Sequence, residues 1–316
     1  MIETTSSPPD DRAAIRRVVP RVPTGGARGA RLAGWLFVLP ALATYAIFVL
    51  WPIVMTIRYS FYSWDGILPP TWVGVENFKA VFTDSQLLGA LWHAGELILF
   101  FSGIPVVLGL AVASVMRAVA SRRISSAARA VLFLPQIVPL VAAGIAWSWM
   151  LSSSGVVNQI LSAVGLHSLT RAWLGDFGTA LPAVGLIGAW VLLGLCTVLL
   201  LTGMSKIDQT LYEAAQIDGA GPIREFFAIT LPSLRNEIAV CVTVTMIAAL
   251  SAFDIVFIST NGGPGDATMV PGLEIYQLAF FNREMGLASA LAVVLMLLVL
   301  ACILPVQLLS QRAGQR

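Results

Sequence analysis

The 316-residue chain is 57% hydrophobic and 11% charged, with a formal net charge of +2 and a mean hydropathy of +0.84. A water-soluble domain carries charge on about a quarter of its residues, so this composition excludes one and identifies an integral membrane protein. The slight basic excess gives no basis for a nucleic-acid partner, because membrane topology accounts for the arginines.

Residues 1–31 are rich in Ser, Pro, Gly and Arg, lack a helical period, and read as a flexible N-terminal tail ahead of a transmembrane domain over 32–316. The apolar run behind the tail is about twice the length of a signal-peptide core, so a retained first span is expected. Crossing a hydrocarbon core about 30 Å thick takes roughly 20 apolar residues at about 1.5 Å each. Six runs qualify: 32–57, 88–116, 130–151, 180–204, 238–259 and 285–309. Alternating strand segments are missing from the sequence, so the predicted fold is all-α, a bundle of six transmembrane helices. The first connection, 60–87, carries Trp64, Trp72 and Phe78, residues suited to a membrane-interface belt. The third, 152–179, places Gly155, Asn158 and Gly165 among apolar residues at helical spacing and predicts a short helix along the outer interface. Cys196, Cys241 and Cys302 fall inside spans and read as small apolar residues.

Basic residues orient the bundle, since Lys and Arg beside a span remain cytoplasmic. Fifteen of the nineteen lie in the N-terminal tail, the second connection (Arg117, Arg122, Arg123, Arg129), the fourth (Lys206, Arg224, Arg235) and the C-terminal tail. Arg58, Lys79, Arg171 and Arg283 occupy the other side. Both termini and the fourth connection are therefore expected in the cytoplasm.

That fourth connection, 205–236, is a polar island of unusual content: it also holds Leu211, Tyr212, Ile217, Phe226, Phe227 and Ile229, which a purely solvated loop does not need. Thr210 and Glu213 have capping-box spacing, so a helix is expected to start at Thr210 and to end at Gly219 in a left-handed conformation. Pro222 suits the first position of a second helix, 223–230, and Pro232 marks a bend into the fifth span. The segment reads as helix, sharp turn, helix. The role of Glu213 stays open between cap and contact.

Within the island, Glu213-Ala214-Ala215, then Asp218-Gly219-Ala220, then Leu231-Pro232 resemble the EAA loop of binding-protein-dependent ABC importer permeases, and Ile217 to Ala220 is similar to the carbohydrate branch. Asn236 departs from that pattern, where a proline is common. The resemblance extends to Thr260-Asn261-Gly262-Gly263-Pro264 and to the stretch from Glu284 to Ala290. It implies a coupling helix in which Glu213, Ala214, Ala215, Asp218, Gly219 and Ala220 engage a separate ATPase subunit. It further implies a second permease subunit forming a heterodimer, an extracytoplasmic solute-binding protein, a carbohydrate substrate, surrounding membrane lipid and a location in the bacterial inner membrane.

The chain's own chemistry is sparse. Its two lysines, Lys79 and Lys206, follow Phe78 and Ser205, so no phosphate-cradling GxxxxGK[ST] loop exists; no cofactor is expected in this chain, ATP and Mg being bound by partner ATPase subunits. His93 and His167 stand apart, and no catalytic or metal-ligand spacing occurs, so the chain is not expected to be an enzyme. Ionisable groups inside a membrane cost about 2.5 to 3.5 kcal/mol at a helix centre, which makes Asp254 and Glu96 candidates for the substrate path. Trp147 joins them as a ring able to stack on a sugar. The same two acids leave open an alternative, an ion-coupled secondary transporter. Against it, the two halves of the chain show no self-similarity, which favours a second polypeptide as the pseudo-symmetric partner.

Overall fold

The computed structural model describes residues 27–118 and 122–314; residues 1–26, which hold most of the expected tail, lie outside the described residues. Two compact units divide the chain after Ile53. The first holds α1 (Ala27–Tyr45), in which the Thr44 hydroxyl donates to the Pro40 carbonyl at 2.9 Å, and a π turn at Ala46–Leu50. The division falls within α2 (Trp51–Tyr59).

The second unit begins with a two-stranded antiparallel hairpin, β1 (Tyr62–Ser63) and β2 (Thr71–Trp72), in the register Tyr62 to Trp72. Then come α3 (Glu76–Thr83), α4 (Ser85–Ile98) and α5 (Ile104–Ala118). The latter two join through a π turn at Leu99–Gly103 into one span, Ser85–Arg117. Next are α6 (Arg122–Ile137), α7 (Leu140–Met150), α8 (Val156–Ala163) and α9 (Ala180–Met204). The polar island forms α10 (Gln209–Ile217), α11 (Pro222–Glu225) and α12 (Leu231–Ser233). The chain finishes with α13 (Arg235–Leu250), α14 (Asp254–Ser259), α15 (Pro271–Phe280) and α16 (Met285–Gly314).

Among the described residues four helices are long and apolar enough to cross a membrane: Phe37–Tyr59, Ser85–Arg117, Ala180–Met204 and Met285–Ser310. Counting each of two bent pairs, Ser126–Ile137 with Leu140–Met150 and Pro222–Ser233 with Arg235–Leu250, as one span brings the number to six. The third expected run, 130–151, is no straight rod; it breaks at Val138 and Pro139, and the two arms diverge by 96°. A residue before proline is driven out of the α region, which is why Val138 leaves the helix. The fifth run, 238–259, is likewise interrupted at residues 251–253, and its main helix starts earlier, at Arg235. Sixteen residues give α13 a length of about 24 Å, short of the hydrocarbon thickness.

Prolines explain the widened turns. Each of the three π turns among the described residues, Ala46–Leu50, Leu99–Gly103 and Phe226–Thr230, ends two residues before a proline, at Pro52, Pro105 and Pro232. Proline lacks an N–H and its ring crowds the carbonyl four residues back; widening the turn relieves both defects without breaking the helix.

Helix α9 is the hub of the second unit: 67% of its central stretch is buried, against 17% for α16. Glycines permit that close packing. A Cβ at Gly188 would overlap the Phe101 ring, and one at Gly194 the Leu132 carbonyl. Thr245 in α13 donates to Ser102 at 2.7 Å, a buried polar link between that helix and the Ser85–Arg117 span. The short helix expected in the third connection is present as α8, and Asn158 fixes it by donating to the Ser152, Ser153 and Arg171 carbonyls at 3.0, 3.1 and 2.7 Å.

Candidate functional site

Two features stand out, an exposed elbow and a cavity between helix breaks. In the elbow, α10 starts one residue before the expected cap. Asp208, not Thr210, is the N-cap, and its carboxylate accepts from the Thr210 amide at 3.0 Å. The Thr210 amide and hydroxyl hold the Asp208 carboxyl below its ordinary range. A charged acceptor outcompetes a hydroxyl for a helix-terminal N–H, so Thr210 falls inside the helix and Glu213 is released from capping. Glu213, Ala214 and Asp218 are exposed, and the Glu213 carboxylate bonds none of the described residues.

The helix ends as the sequence predicts. Gly219 has φ +78°, its N–H bonds the Gln216 carbonyl at 3.0 Å, and the Ala220 N–H reaches back to Ala215 at 2.9 Å. These paired bonds form a Schellman motif, which requires the left-handed residue. Gly221 and Pro222 then open α11. The bend into the membrane lies at Leu234 rather than Pro232, because the π turn absorbs the proline; α13 departs at 69°. Asn236 continues the helix and accepts from the Ser310 hydroxyl at 3.2 Å.

Tyr212 is the one buried side chain of α10. Its hydroxyl and that of Thr230 share a hydrogen bond at 2.9 Å, and the Arg117 guanidinium lies 3.7 Å over its ring. Outward, Leu211, Ile217, Ile223 and Phe227 are exposed, Ile217 to 87%, forming an apolar surface on a helix–turn–helix that has shed its polar obligations.

The cavity, about 350 Å³, sits where both broken helices open: Val138 from the α6–α7 break and Ser251 and Phe253 from the α13–α14 break line it. Asp254, at the first position of α14, is exposed to this space. Gln136 lines the same cavity, and its Oε1 is buried without a hydrogen-bond partner among the described residues. Sequence reasoning missed Gln136 and Ser251. The spacing Pro135-Gln136-Ile137-Val138-Pro139 carried the signal, since paired prolines in an apolar run mark the discontinuous helices that line membrane cavities. Phe253 stacks on Phe257 at 5.3 Å, and Tyr276 meets Phe257 at 5.8 Å, extending a row of rings away from the cavity.

The other two path candidates lie elsewhere. Glu96 is exposed, accepting from Trp92 Nε1 at 2.7 Å, and does not line this cavity. Trp147 meets Trp190 edge-on at 5.5 Å and borders a separate, apolar cavity of about 340 Å³ with Trp173 and Leu186. Among the described residues no cluster of His, Cys, Asp and Glu could hold a metal ion.

A helical bundle that combines broken membrane helices around a polar-edged cavity with an exposed apolar elbow is a transport permease in design. Residues 105–315 match the family described as binding-protein-dependent transport system inner membrane component, and the chain belongs to it. It is 34% identical over 273 residues to the probable ABC transporter permease protein YurN of Bacillus subtilis, covering 86% of this chain and 93% of that protein. It is also 34% identical over 267 residues to the diacetylchitobiose uptake system permease protein NgcF of Streptomyces coelicolor, covering 80% and 75%. In fold it resembles a chain of a bacterial ABC transporter involved in the import of the acidic polysaccharide alginate, with a TM-score of 0.76 at 24% identity, covering 90% of this chain and 96% of that one.

Proposed function

We propose that this chain carries a carbohydrate across the inner membrane through a path that includes the cavity between the two helix breaks. The observation that carries the reading is the pairing, in one cavity, of the Asp254 carboxylate with the unpartnered Gln136 carbonyl oxygen. Both accept hydrogen bonds, and sugar hydroxyls are donors arrayed around an apolar ring face. Phe253 beside them offers a surface on which such a face can lie. Relatives named for diacetylchitobiose and sulfoquinovosyl glycerol transport support the same substrate class.

In this reading the apolar elbow docks on a separate ATPase subunit, which binds ATP and Mg. A second permease subunit completes a heterodimeric path, and a solute-binding protein delivers the sugar from outside. The chain itself performs no covalent chemistry. Both termini and the elbow face the cytoplasm, as the distribution of basic residues implies. Differences in affinity between inward-open and outward-open states, set by ATPase closure, move the substrate.

The test is the assembled importer in proteoliposomes, screened for ATP hydrolysis stimulated by carbohydrates such as diacetylchitobiose, maltose and alginate oligosaccharides, each with the loaded binding protein. Losing one hydrogen bond to a charged group, about 1.5 to 3 kcal/mol, is expected to lower uptake at least tenfold in Asp254→Ala. Stimulation by amino acids or peptides and by no carbohydrate would overturn the substrate class. Uptake that survives ATP depletion but not an uncoupler would establish ion coupling instead.

A further inference from the structure

We propose that Arg117 is a positioning residue that transmits displacement of the elbow into the Ser85–Arg117 span. The inference rests on the reading that α10 docks on the ATPase. Its own basis is the way α10 is held. The guanidinium of Arg117 covers the Tyr212 ring at 3.7 Å, and its Nη2 donates to Gln209 Oε1 at 3.3 Å. Gln209 and Tyr212 are three residues apart and share one helix face, so a single cation grips both. No other side chain of α10 is buried, which leaves Tyr212 as the point where the helix is anchored in the protein.

The anchor has two arms. One runs through the Tyr212 hydroxyl to Thr230 and so to the return leg of the elbow. The other runs through Arg117 to the end of a continuous 33-residue helix, about 50 Å long at the usual rise. Further along, that helix contributes Phe101 to the cavity that holds Gln136 and Asp254. α9 is tied to α10 by the chain itself and contributes Leu192 and Leu195 to the same cavity. Pushing α10 therefore moves α9 through the backbone and the Ser85–Arg117 helix through Arg117. Packing of the Ser85–Arg117 span on α9 carries part of that motion, and Arg117 adds a direct side-chain tie from α10 to the end of the span. The grip also has room to shift, because an open cavity of about 350 Å³ adjoins it, bordered by Ser114, Met204 and Glu225.

The complete importer tests this without knowledge of the substrate. In a background with Cys196, Cys241 and Cys302 replaced, Ser251→Cys reports cavity exposure through its rate of maleimide labelling, with and without ATP and vanadate. Ile217→Cys, crosslinked to the copurified ATPase, separately reports docking. For Arg117→Ala and Tyr212→Leu we expect the Ile217→Cys crosslink and ATP hydrolysis to remain within about twofold, while the nucleotide-driven change in Ser251→Cys labelling falls fivefold or more. Arg117→Lys, which keeps a cation over the ring, is expected to recover part of the change, and Tyr212→Phe most of it. An undiminished labelling change in Arg117→Ala, or loss of crosslink and hydrolysis together with it, would overturn the transmission role. Failure of Ile217→Cys to crosslink in the otherwise native complex would instead overturn the docking reading itself.

Discussion

Glu274 illustrates how much one buried side chain can decide. It is 2% exposed, in α15 outside the spans, and its carboxylate oxygens accept from Gln86 Nε2 at 3.3 and 3.2 Å. Burial pushes its carboxyl above the ordinary carboxylate range; the Gln86 bond opposes the shift, and the nearby charges of Asp266 and Asp84 add to it. The folded protein then holds this proton more tightly than the unfolded chain does. Stability from Glu274 is complete below the unfolded-state value and is lost as pH rises through the raised folded value. Glu274→Gln keeps the shape and removes the titration. It should raise the thermal midpoint of the detergent-solubilised protein by a few degrees at pH 8 and leave it nearly unchanged at pH 4.5. Parallel pH profiles for the two proteins would refute the assignment.

The elbow was legible in outline because its signals are local. A glycine at the helix end and a proline at the next helix start act within a few residues, and the structure places both as expected. The N-cap was misread because Asp208 and Thr210 are both good caps two residues apart, and the competition is settled by charge rather than by pattern. The helix breaks divide similarly. Pro135 and Pro139 announce the first, but no proline marks the break at residues 251–253, and an apolar run such as 238–259 looks unbroken to a hydropathy window. Gln136 escaped notice because its open carbonyl is a property of tertiary surroundings, whereas Glu96 drew notice as an ionisable group in an apolar run and lies apart from that cavity. At Gly219 nothing lies within 4 Å of where a Cβ would stand, so the φ of +78° alone penalises a side chain. Backbone strain of about 1 kcal/mol corresponds to roughly a fivefold loss in coupled uptake for Gly219→Ala, with membrane insertion intact. Gly219→Asn, which tolerates the left-handed region, should retain more activity than Gly219→Ala; the reverse order in a transport assay would argue against conformational strain as the cause.

At the scale of the whole chain, the basic residues predict a single polarity. Arg117 and Lys206 sit at the elbow's end of the spans, the first over Tyr212 and the second 3.5 Å from Glu237. At the opposite ends, Arg58 in the last turn of α2 lies 5.9 Å over Tyr62, Arg171 lies 5.6 Å over Trp173, and Lys79 pairs with Glu76 at 2.7 Å. Arg58, Arg171 and Lys79 are thus each held by an aromatic ring or a carboxylate close by in sequence. A basic residue near the anionic cytoplasmic leaflet gains about 1 kcal/mol, so the fifteen expected on one side against four on the other predict a strong preference for a single orientation. Single cysteines at exposed positions make that preference measurable. Ile217→Cys and Ile223→Cys should react with a membrane-impermeant maleimide in inverted vesicles and stay unreacted in intact spheroplasts, whereas Ile67→Cys and Val75→Cys should behave oppositely. Labelling of Ile217→Cys from outside the cell would put the elbow beyond reach of any cytoplasmic ATPase, and the nucleotide-driven mechanism could not operate through it.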